Sequence, residues 1–434
     1  MLSDSFCSSP WFHLRLTYDG TFEQCRFFTK QTDSKVNVRD TTVMQYYNSQ
    51  QMAQLRTQLL LGDTPTGCTA CYYQDKFGKL SGRIKQLNKS GITTKDFVPS
   101  ILSSPHYKHF IHSQEHGGVS QHQPVDLQID LGNICNSACI MCSPDASSRL
   151  QQDYIKLHKI NPRFEPIAIK NWTSDTTLLD RVIDEICDIK GLRYIHFLGG
   201  ETLYDPAFYN ICEELIRRGL SKQIIVGTTT NGTIYDSRVE ELISQFEEFH
   251  LGISIESVTS LNDYVRYPSD IATIKSNIEQ FLKLRDDTKL YVSLRITPNV
   301  FTATELDQLF EYMIEKNVIA ESCNILYTPA ELQIELMPAD LRMVLQTKLN
   351  ALVNKYQLNQ TDITNVRRAD LISDVIANVI LEYKHFIDEF TPPDNVEQLR
   401  YKLVEYIKAF ESIRNNSILD HAPDYTDFLR SYGY

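Results

Sequence analysis

Three cysteines in one short segment constrain this chain more than any other feature of its sequence. Cys135, Cys139 and Cys142 follow directly after a predicted strand, at spacings of four and three residues. A single loop with these spacings can place three thiolates around one face of an iron–sulfur cluster, which leaves one iron without a protein ligand. A structural zinc site generally requires four protein ligands, and this loop provides only three. The segment therefore predicts a loop that binds a reactive iron–sulfur cluster.

The region around this loop has the pattern of an α/β fold. From residue 124 onward, short apolar strands alternate with stretches whose apolar residues recur at helical spacing. Such alternation predicts a parallel sheet, curled here into an open, partial (β/α)6 barrel whose chemistry lies at the carboxyl ends of the strands. The six predicted strands cover residues 125–131, 194–198, 224–229, 251–255, 291–296 and 323–327.

Three further predicted strand ends carry polar residues or paired glycines. The glycines allow a backbone to approach a ligand closely, and they stand beside a carboxylate. Each of these signals is weak alone, because a Gly-Gly-Glu segment is most often a turn. Their order at successive strand ends favours a common site, formed by Gly199, Gly200 and Glu201, by Asn231, and by Ser254 and Glu256.

The cysteine spacing, followed by Gly199-Gly200-Glu201, resembles the radical S-adenosylmethionine (SAM) superfamily over about residues 122–330. The resemblance implies a TIM-like core in which the three cysteines hold a [4Fe–4S] cluster and SAM chelates the open iron. It further implies that an electron from the reduced cluster cleaves SAM to a 5′-deoxyadenosyl radical, which abstracts a substrate hydrogen. In such enzymes the cofactors carry the chemistry, while the protein positions them and excludes water.

The same resemblance implies roles for the other residues at the strand ends. Glu201 would accept a hydrogen bond from the SAM amino group, with Gly199 and Gly200 behind the methionyl part. Two departures from the family pattern stand out, because an aromatic residue usually precedes the third cysteine and a proline usually follows Gly-Gly-Glu. Ser254 and Arg266 would contact the SAM carboxylate, and Asn231 or Glu256 would contact the ribose. At the two departures, Met141 takes the place of the aromatic residue near the adenine, and Thr202 takes the place of the proline.

A second group of four cysteines lies near the N-terminus. Cys7, Cys25, Cys68 and Cys71 resemble an auxiliary-cluster module of the SPASM/twitch type, placed before the barrel rather than after it. Four thiolates can fully ligate a second [4Fe–4S] cluster, and they also suit a structural zinc ion. We expect the iron–sulfur cluster and keep zinc as the alternative.

The sequence divides into four predicted regions. Residues 1–100 form the small cysteine-rich module, 101–123 a linker, 124–330 the radical SAM core, and 331–434 a helical C-terminal region without glycine until Gly433. The linker holds five of the eleven histidines, which indicate either a metal site or, as we favour, a solvated connector. The remaining cysteines are expected in the core: Cys187, Cys212 and Cys323.

Composition excludes some classes of function. The net charge is −12 and no block of lysine and arginine occurs, which argues against a nucleic-acid partner. No apolar run approaches the roughly 18–20 residues of a membrane span, and the N-terminus lacks the pattern of a signal peptide. We therefore expect a cytoplasmic protein in which cysteines serve as ligands or core residues rather than as disulfides.

Together these features predict a radical SAM enzyme that modifies a peptide or protein, because modules resembling the N-terminal one often accompany such substrates. Such an enzyme requires an electron donor such as flavodoxin or ferredoxin. A small-molecule biosynthetic enzyme is one alternative. A non-catalytic iron–sulfur scaffold is another, although a scaffold needs neither an open iron nor a SAM site.

Overall fold

The computed structural model describes residues 5–28, 36–76, 81–361 and 372–434. A single eight-stranded sheet organises these residues, in the order β2-β1-β3-β4-β5-β6-β7-β8. Among the paired strands of the described residues, β1–β2 is the one antiparallel pair. The strands are β1 His13–Leu16, β2 Phe22–Glu23, β3 Asp126–Asp130, β4 Tyr194–Leu198, β5 Ile225–Thr230, β6 Glu248–Ser254, β7 Leu290–Arg295 and β8 Ile319–Ala320.

The two faces of the sheet differ in polarity. Successive strand residues point to opposite faces, so one face carries the even or odd positions of each strand. The face covered by helices is apolar and buried, as at Leu127 and Ile129 of β3 and Ile195 and Phe197 of β4. The other, inner face carries mostly polar residues. The sheet therefore has one core-forming face and one face available for a site.

The N-terminal hairpin belongs to this same sheet. β1 pairs in parallel with β3, with His13 opposite Asp126 and Leu16 opposite Ile129. The cysteine-rich region is therefore joined to the core through a shared sheet. Its helices are α1 Ser9–Phe12, α2 Val43–Tyr47, α3 Gln50–Leu61, α4 Thr69–Lys76, α5 Gly82–Lys89, α6 Phe97–Ser103 and α7 Tyr107–Glu115.

Residues 101–123, interpreted from sequence as a linker, do not form a solvated connector. They include α7 and the end of α6, and Ile101 and Phe110 are buried in an apolar cluster with Phe6 and Trp11. The Trp11 indole N–H also donates to the Ser113 hydroxyl at 2.8 Å. This segment is packed because the N-terminal region has its own small core, which α7 completes.

Helices connect the parallel strands of the core. They are α8 Ser148–His158, α9 Thr176–Cys187, α10 Pro206–Arg217, α11 Ser237–Gln245, α12 Leu261–Val265, α13 Ile271–Asp287 and α14 Leu306–Lys316. Side-chain caps begin many of them, as where Asp175 accepts a hydrogen bond from the Leu178 amide at 3.1 Å. The predicted α/β class with an open parallel sheet is confirmed, and β2 and β8 are its two edge strands.

The sixth core strand was predicted in the wrong place. β8 covers Ile319–Ala320 and follows α14 after a left-handed Asn317, whereas residues 323–327 form no strand. The Tyr383 hydroxyl binds the backbone of this segment instead. It accepts a hydrogen bond from the Asn324 amide at 2.9 Å and donates one to the Ile296 carbonyl, at the end of β7, at 2.9 Å. A side chain from a distant helix thus takes the hydrogen bonds that a strand would use.

The predicted helical C-terminal region is confirmed. Its helices are α15 Ala339–Tyr356, α16 Ile372–Glu389, α17 Val396–Arg414 and α18 Thr426–Ser431. The region packs on the core, since Leu345, Ile380, Leu403 and Phe410 belong to the same buried cluster as the sheet. Among the helices that the structure describes, none is long and apolar enough to cross a membrane.

Candidate active site

The three-cysteine loop leaves β3 and is fixed by its backbone. The Ala138 and Ile140 amides donate to the carbonyls of Tyr267 and Val265, at 2.5 and 2.9 Å. These bonds align the loop with the segment after α12. Arg266 lies between the two accepting residues, so its side chain is carried to the loop by the same pairing. The loop thus has a defined conformation at the carboxyl end of the first core strand.

The three thiols lie within electrostatic reach of one another. Cys139 is buried, while Cys135 and Cys142 are partly accessible. A hydrogen bond from the Cys142 thiol lowers the pKa of Cys139, and it raises that of Cys142. Burial raises the pKa of Cys135, the Ser137 amide hydrogen opposes this rise from 3.4 Å, and the Cys139 thiol adds to it. Three desolvated thiols within electrostatic range of one another are a donor type suited to a metal cluster.

Arg266 and Glu256 form a buried ion pair beside these thiols. The Arg266 Nη1 donates to Glu256 Oε2 at 2.7 Å, and the two side chains are 11% and 3% exposed. Burial alone lowers the pKa of Arg266, but Glu256, Cys139 and Cys142 outweigh burial and raise it. The Arg266 Nε is buried without a hydrogen-bond partner. Such a donor leaves room for one more acceptor, as a ligand carboxylate would provide.

The glycines after β4 pack against the cysteine loop. A side chain on Gly200 would bring its Cβ to 2.4 Å from the Ile134 carbonyl oxygen, and one on Gly199 would bring it to 3.1 Å from the Gly132 carbonyl. The Gly200 amide in turn donates to the Gly132 carbonyl at 3.0 Å. The close approach that the sequence suggested is therefore seen between two backbone segments of the protein itself.

Glu201 is buried and holds neighbouring strand ends together. Its carboxylate accepts hydrogen bonds from the Leu203 amide, the Thr230 hydroxyl and the Asn231 amide, at 3.1, 2.6 and 2.5 Å. Burial raises its pKa, which these donors oppose. The Asn231 side chain donates to Asn136 Oδ1 and Ser137 Oγ at 2.7 and 3.0 Å, and so fastens β5 to the loop.

The other predicted cofactor contacts also lie at this edge of the sheet. Ser254 ends β6 on the inner face, where it stands opposite Arg295 of β7. Met141 lies between two of the cysteines and is partly buried against the core. The structure therefore brings the loop, the Gly-Gly-Glu segment and the Arg266–Glu256 pair together, with Ser254 at the end of a neighbouring strand.

Contacts from the C-terminal region were missed in the sequence. The Arg414 Nη2 donates to the Ala138 carbonyl at 2.6 Å and to Asp153 Oδ2 at 2.9 Å, and the Tyr406 hydroxyl donates to the Ile140 carbonyl at 2.7 Å. Both residues belong to α17, 266 or more positions from the loop carbonyls that they bind. Their helical spacing carries no sign of this role.

The N-terminal cysteines form a second group of thiols. Cys7 precedes α1, Cys25 follows β2, and Cys68 and Cys71 lie in the turn and helix around residue 69. Burial raises the pKa of each thiol, to about 11 for Cys25 and about 12 for Cys68, and the other cysteines add to the rise at Cys7, Cys25 and Cys68. The fold thus gathers four thiols from three separate segments into one desolvated group.

Neither set of thiols is spaced for a single ion. Within the described ranges, no group of three or more histidine, cysteine, aspartate or glutamate side chains is arranged to hold one metal ion. This statement covers the loop cysteines as well as the N-terminal ones.

Comparison with known families identifies the core. Residues 129–312 match the model of the Radical SAM superfamily. The match makes this segment a radical SAM domain, which covers less than half of the chain. The matched segment begins in β3, includes the cysteine loop, and ends in α14. This match supports an enzyme, and the family implies a [4Fe–4S] cluster and SAM. No curated protein matches the chain.

Solved structures that match part of the chain include anSMEcpe with bound AdoMet, at 18% identity and a TM-score of 0.35 over 54% of this chain and 61% of that chain. Streptococcus suis SuiB bound to S-adenosylmethionine matches at 13% identity and a TM-score of 0.36, over 82% of this chain and 71% of that chain. SuiB bound to precursor peptide SuiA matches at 15% identity and a TM-score of 0.35, over 83% and 71%. The chain therefore spans about three fifths of anSMEcpe.

Proposed function

We propose that this enzyme cleaves SAM reductively at a [4Fe–4S] cluster held by Cys135, Cys139 and Cys142, and that it modifies a peptide or protein substrate. The observation that carries the proposal is the joint arrangement of three thiols in one loop and the buried Arg266 beside them, with its unpaired Nε. When bound, the cluster and SAM supply a 5′-deoxyadenosyl radical that abstracts a substrate hydrogen.

The residues around the loop would position SAM. Arg266 offers its free Nε to the SAM carboxylate, while Glu256 holds the rest of the guanidinium in place. Ser254 adds a hydroxyl at the end of β6. Glu201 would accept from the SAM amino group, since a carboxylate that already takes three hydrogen bonds still has a lone pair. The methionyl part would then lie along Gly199 and Gly200.

Asn231, Glu256 and Met141 would contact the adenosyl part of SAM. The amide of Asn231 is engaged by the cysteine loop and Glu256 by Arg266, so a ribose contact at either would be shared with these partners. Met141 would pack near the adenine, because its flexible and polarizable side chain suits an aromatic neighbour.

The N-terminal thiols would ligate an auxiliary [4Fe–4S] cluster, with a structural zinc ion as the alternative. A bound metal would remove the cost of bringing four desolvated thiols together, because it binds them as thiolates. Iron, sulfide and zinc counts decide the matter: about eight irons per chain indicate two clusters, whereas about four irons and one zinc indicate zinc. An unchanged metal content in Cys68→Ala would contradict the assignment.

Anaerobic turnover tests the reaction. The protein, reconstituted with iron and sulfide, is mixed with SAM and dithionite, and 5′-deoxyadenosine is measured. We expect product from the natural sequence and none from Cys139→Ala. Cys212→Ala serves as the matched control, because Cys212 is fully buried on α10 and is not a proposed ligand. No product from a fully loaded protein would contradict SAM cleavage and favour a non-catalytic scaffold.

The substrate class is tested separately. A peptide or protein substrate should raise the rate of 5′-deoxyadenosine formation and gain or lose mass, whereas small metabolites should do neither. A physiological electron donor such as flavodoxin or ferredoxin should replace dithionite. If only small metabolites stimulated turnover, the enzyme would belong to small-molecule biosynthesis.

A further inference from the structure

Charge is distributed unevenly along the chain. Residues 1–100, the cysteine-rich region, carry twelve lysines and arginines against eight acids, whereas residues 101–434 carry 31 against 47. The smaller region therefore has a net charge of +4 within a chain whose net charge is −12. A local excess of one sign of charge attracts partners of the opposite sign and speeds their association. The cysteine-rich region is thus the part of the chain that favours an acidic partner.

Two phenylalanine rings pack the cysteine-bearing segments of this region against one another. The Phe28 ring lies on Gly67, next to Cys68, where an added Cβ would come to 2.3 Å from a ring carbon. The Phe27 ring lies in the same way on Gly82, the first residue of α5, and an added Cβ would again come to 2.3 Å. The segment that follows β2 is therefore packed on the turn before α4 and on the start of α5.

An ion pair joins α4 to α5 and to the chain before α1. The Arg83 Nε donates to Asp75 Oδ2 at 2.6 Å, and the Nη1 of the same side chain donates to the Phe6 carbonyl, next to Cys7, at 3.1 Å. The segments that carry the four cysteines thus form one packed unit. Of the two acids in the described part of residues 60–89, Asp75 is paired in this contact and Asp63 is exposed. The unit therefore presents little negative charge to solvent.

The outer side of this unit is basic and partly apolar. On α5, Lys85 and Lys89 are both exposed, and their spacing of four positions places them on one side of the helix. On α4, Lys76 and Tyr73 are exposed at a spacing of three positions. Phe27, at the start of α5, exposes part of its ring as well. These five residues form a surface that we call the basic patch.

The basic patch lies near the amino ends of the strands, away from the cysteine loop. Lys89 Nζ lies 3.4 Å from the carboxylate of Asp126, the first residue of β3. The loop follows Asp130, the last residue of β3, about 13 Å further along the strand at about 3.3 Å per residue. A substrate must reach the carboxyl ends of the strands, where the proposed radical would form. An electron donor does not need to reach them, so this position favours a donor over a substrate.

We propose that the basic patch docks an acidic electron-transfer protein, of the flavodoxin or ferredoxin class, that reduces this enzyme. The inference rests on the proposed function and specifies where its electron donor binds. One electron leaves the docked protein and reduces an iron–sulfur centre of the enzyme, and no atom is transferred. The lysines attract carboxylates of the donor, while Phe27 and Tyr73 supply apolar contact area. Electron-transfer complexes often bury less than about 1,200 Å² in total, so a surface on two short helices is large enough.

Charge variants of the full chain, assayed with a purified flavodoxin, test this surface. Lys76→Gln/Lys85→Gln removes two positive charges of the basic patch and leaves the thiols and the Arg83 ion pair in place. Lys283→Gln/Lys402→Gln is the matched control, because both lysines are exposed on α13 and α17, outside the cysteine-rich region. Lys76→Arg/Lys85→Arg keeps the charge of the patch and should bind flavodoxin as the natural sequence does.

Flavodoxin affinity is measured by biolayer interferometry on the anaerobically reconstituted protein, without SAM, at about 50 and about 300 mM KCl. At the lower salt concentration we expect Lys76→Gln/Lys85→Gln to bind about fivefold more weakly than the natural sequence. The difference should shrink at the higher concentration, because salt screens exposed charges. With SAM present, the KM for reduced flavodoxin should rise by a similar factor in 5′-deoxyadenosine formation. The rate with dithionite should not change, because this small reductant needs no docking surface.

Two results would overturn the proposal. The first is equal flavodoxin affinity in Lys76→Gln/Lys85→Gln and in the control. The second is an unchanged KM for flavodoxin together with a lost response to a peptide substrate, because the basic patch would then bind the substrate. If dithionite supports turnover but the patch variant binds flavodoxin as the control does, the docking surface is wrong and SAM cleavage stands. If flavodoxin binds through the patch but no product forms even with dithionite, SAM cleavage is wrong and the docking surface stands.

Discussion

Arg414 of the C-terminal region should control the stability of the cysteine loop. Its guanidinium is 5% exposed and pairs with Asp153, which is 10% exposed, at 2.9 Å. The same Nη2 binds the Ala138 carbonyl, next to Cys139. Arg414→Met keeps a long apolar stem over the rings of Tyr267 and Phe410 but removes the charge and its hydrogen bonds. The perturbation is therefore confined to the ion pair and the loop contact.

The expected loss of stability follows from the burial of the pair. Removing one partner of a buried ion pair leaves the other charge without compensation, which costs about 3–5 kcal/mol. Lys156 gives Asp153 little relief, because it lies 3.6 Å away and is 59% exposed. In Arg414→Met/Asp153→Asn, both charges are absent and only hydrogen bonds are lost, at a cost of about 1–2 kcal/mol. The double variant should thus be the more stable of the two.

Urea unfolding of the metal-free protein, followed by circular dichroism, measures the difference. With a slope of about 3 kcal/mol per M, a loss of about 3 kcal/mol lowers the midpoint by about 1 M, and the second substitution should restore about half of it. Hydrogen exchange by mass spectrometry should show faster exchange in residues 135–142 for both variants, since both lose the bond to Ala138. If the double variant were no more stable than Arg414→Met, the reasoning from an uncompensated buried charge would be refuted.

Three further predictions concern the sheet and its strand ends. Gly200→Ala should lower iron incorporation several-fold, because its Cβ would lie 2.4 Å from the Ile134 carbonyl; normal iron content would contradict this contact. Burial, and next the charges of Arg295 and Arg26, lowers the pKa of His196 to about 4. The free energy of unfolding should therefore fall as the pH drops from 6.5 through 4. A histidine NMR titration should show a higher pKa of His196 in Arg26→Gln. Tyr383→Phe should cost about 1–2 kcal/mol in thermal unfolding, since it leaves the Asn324 backbone amide without its acceptor and removes one of the two donors to the Ile296 carbonyl; an unchanged midpoint would argue against that role.

Local features of the site could be predicted from the sequence because they depend on neighbouring residues. The loop cysteines lie within eight consecutive positions, and the strand before them has the apolar pattern of a buried strand. The Gly-Gly-Glu segment has no side chain at the two positions where a second backbone must approach. The long C-terminal helices were likewise visible in their apolar spacing. In each case one segment contains the whole signal.

Features that depend on distant partners could not be predicted. Residues 323–327 have the composition of a strand, but Tyr383, 59 positions from Asn324, binds the backbone there. The contacts of Arg414 and Tyr406 with the loop likewise join residues more than 260 positions apart. The alternating polar residues of β1, β3 and β6 are visible in the sequence as His13-x-Arg15, Asp126-x-Gln128-x-Asp130 and Gly252-x-Ser254. That these residues share one face becomes evident only when the strand order is known.

The position of β1 links the two cysteine sites to the inner face. Because β1 pairs with β3, the segment after β2 is held at the edge of the sheet that contains the cysteine loop. Cys25 lies in this segment, so a metal bound at Cys25 would also hold the end of the β1–β2 hairpin. Metal loss in Cys68→Ala should therefore speed hydrogen exchange in residues 22–28, measured by mass spectrometry, while leaving the iron at the loop cysteines in place. If Cys68→Ala lost its N-terminal metal and kept the natural exchange rates in this segment, the auxiliary site would have no part in holding the hairpin.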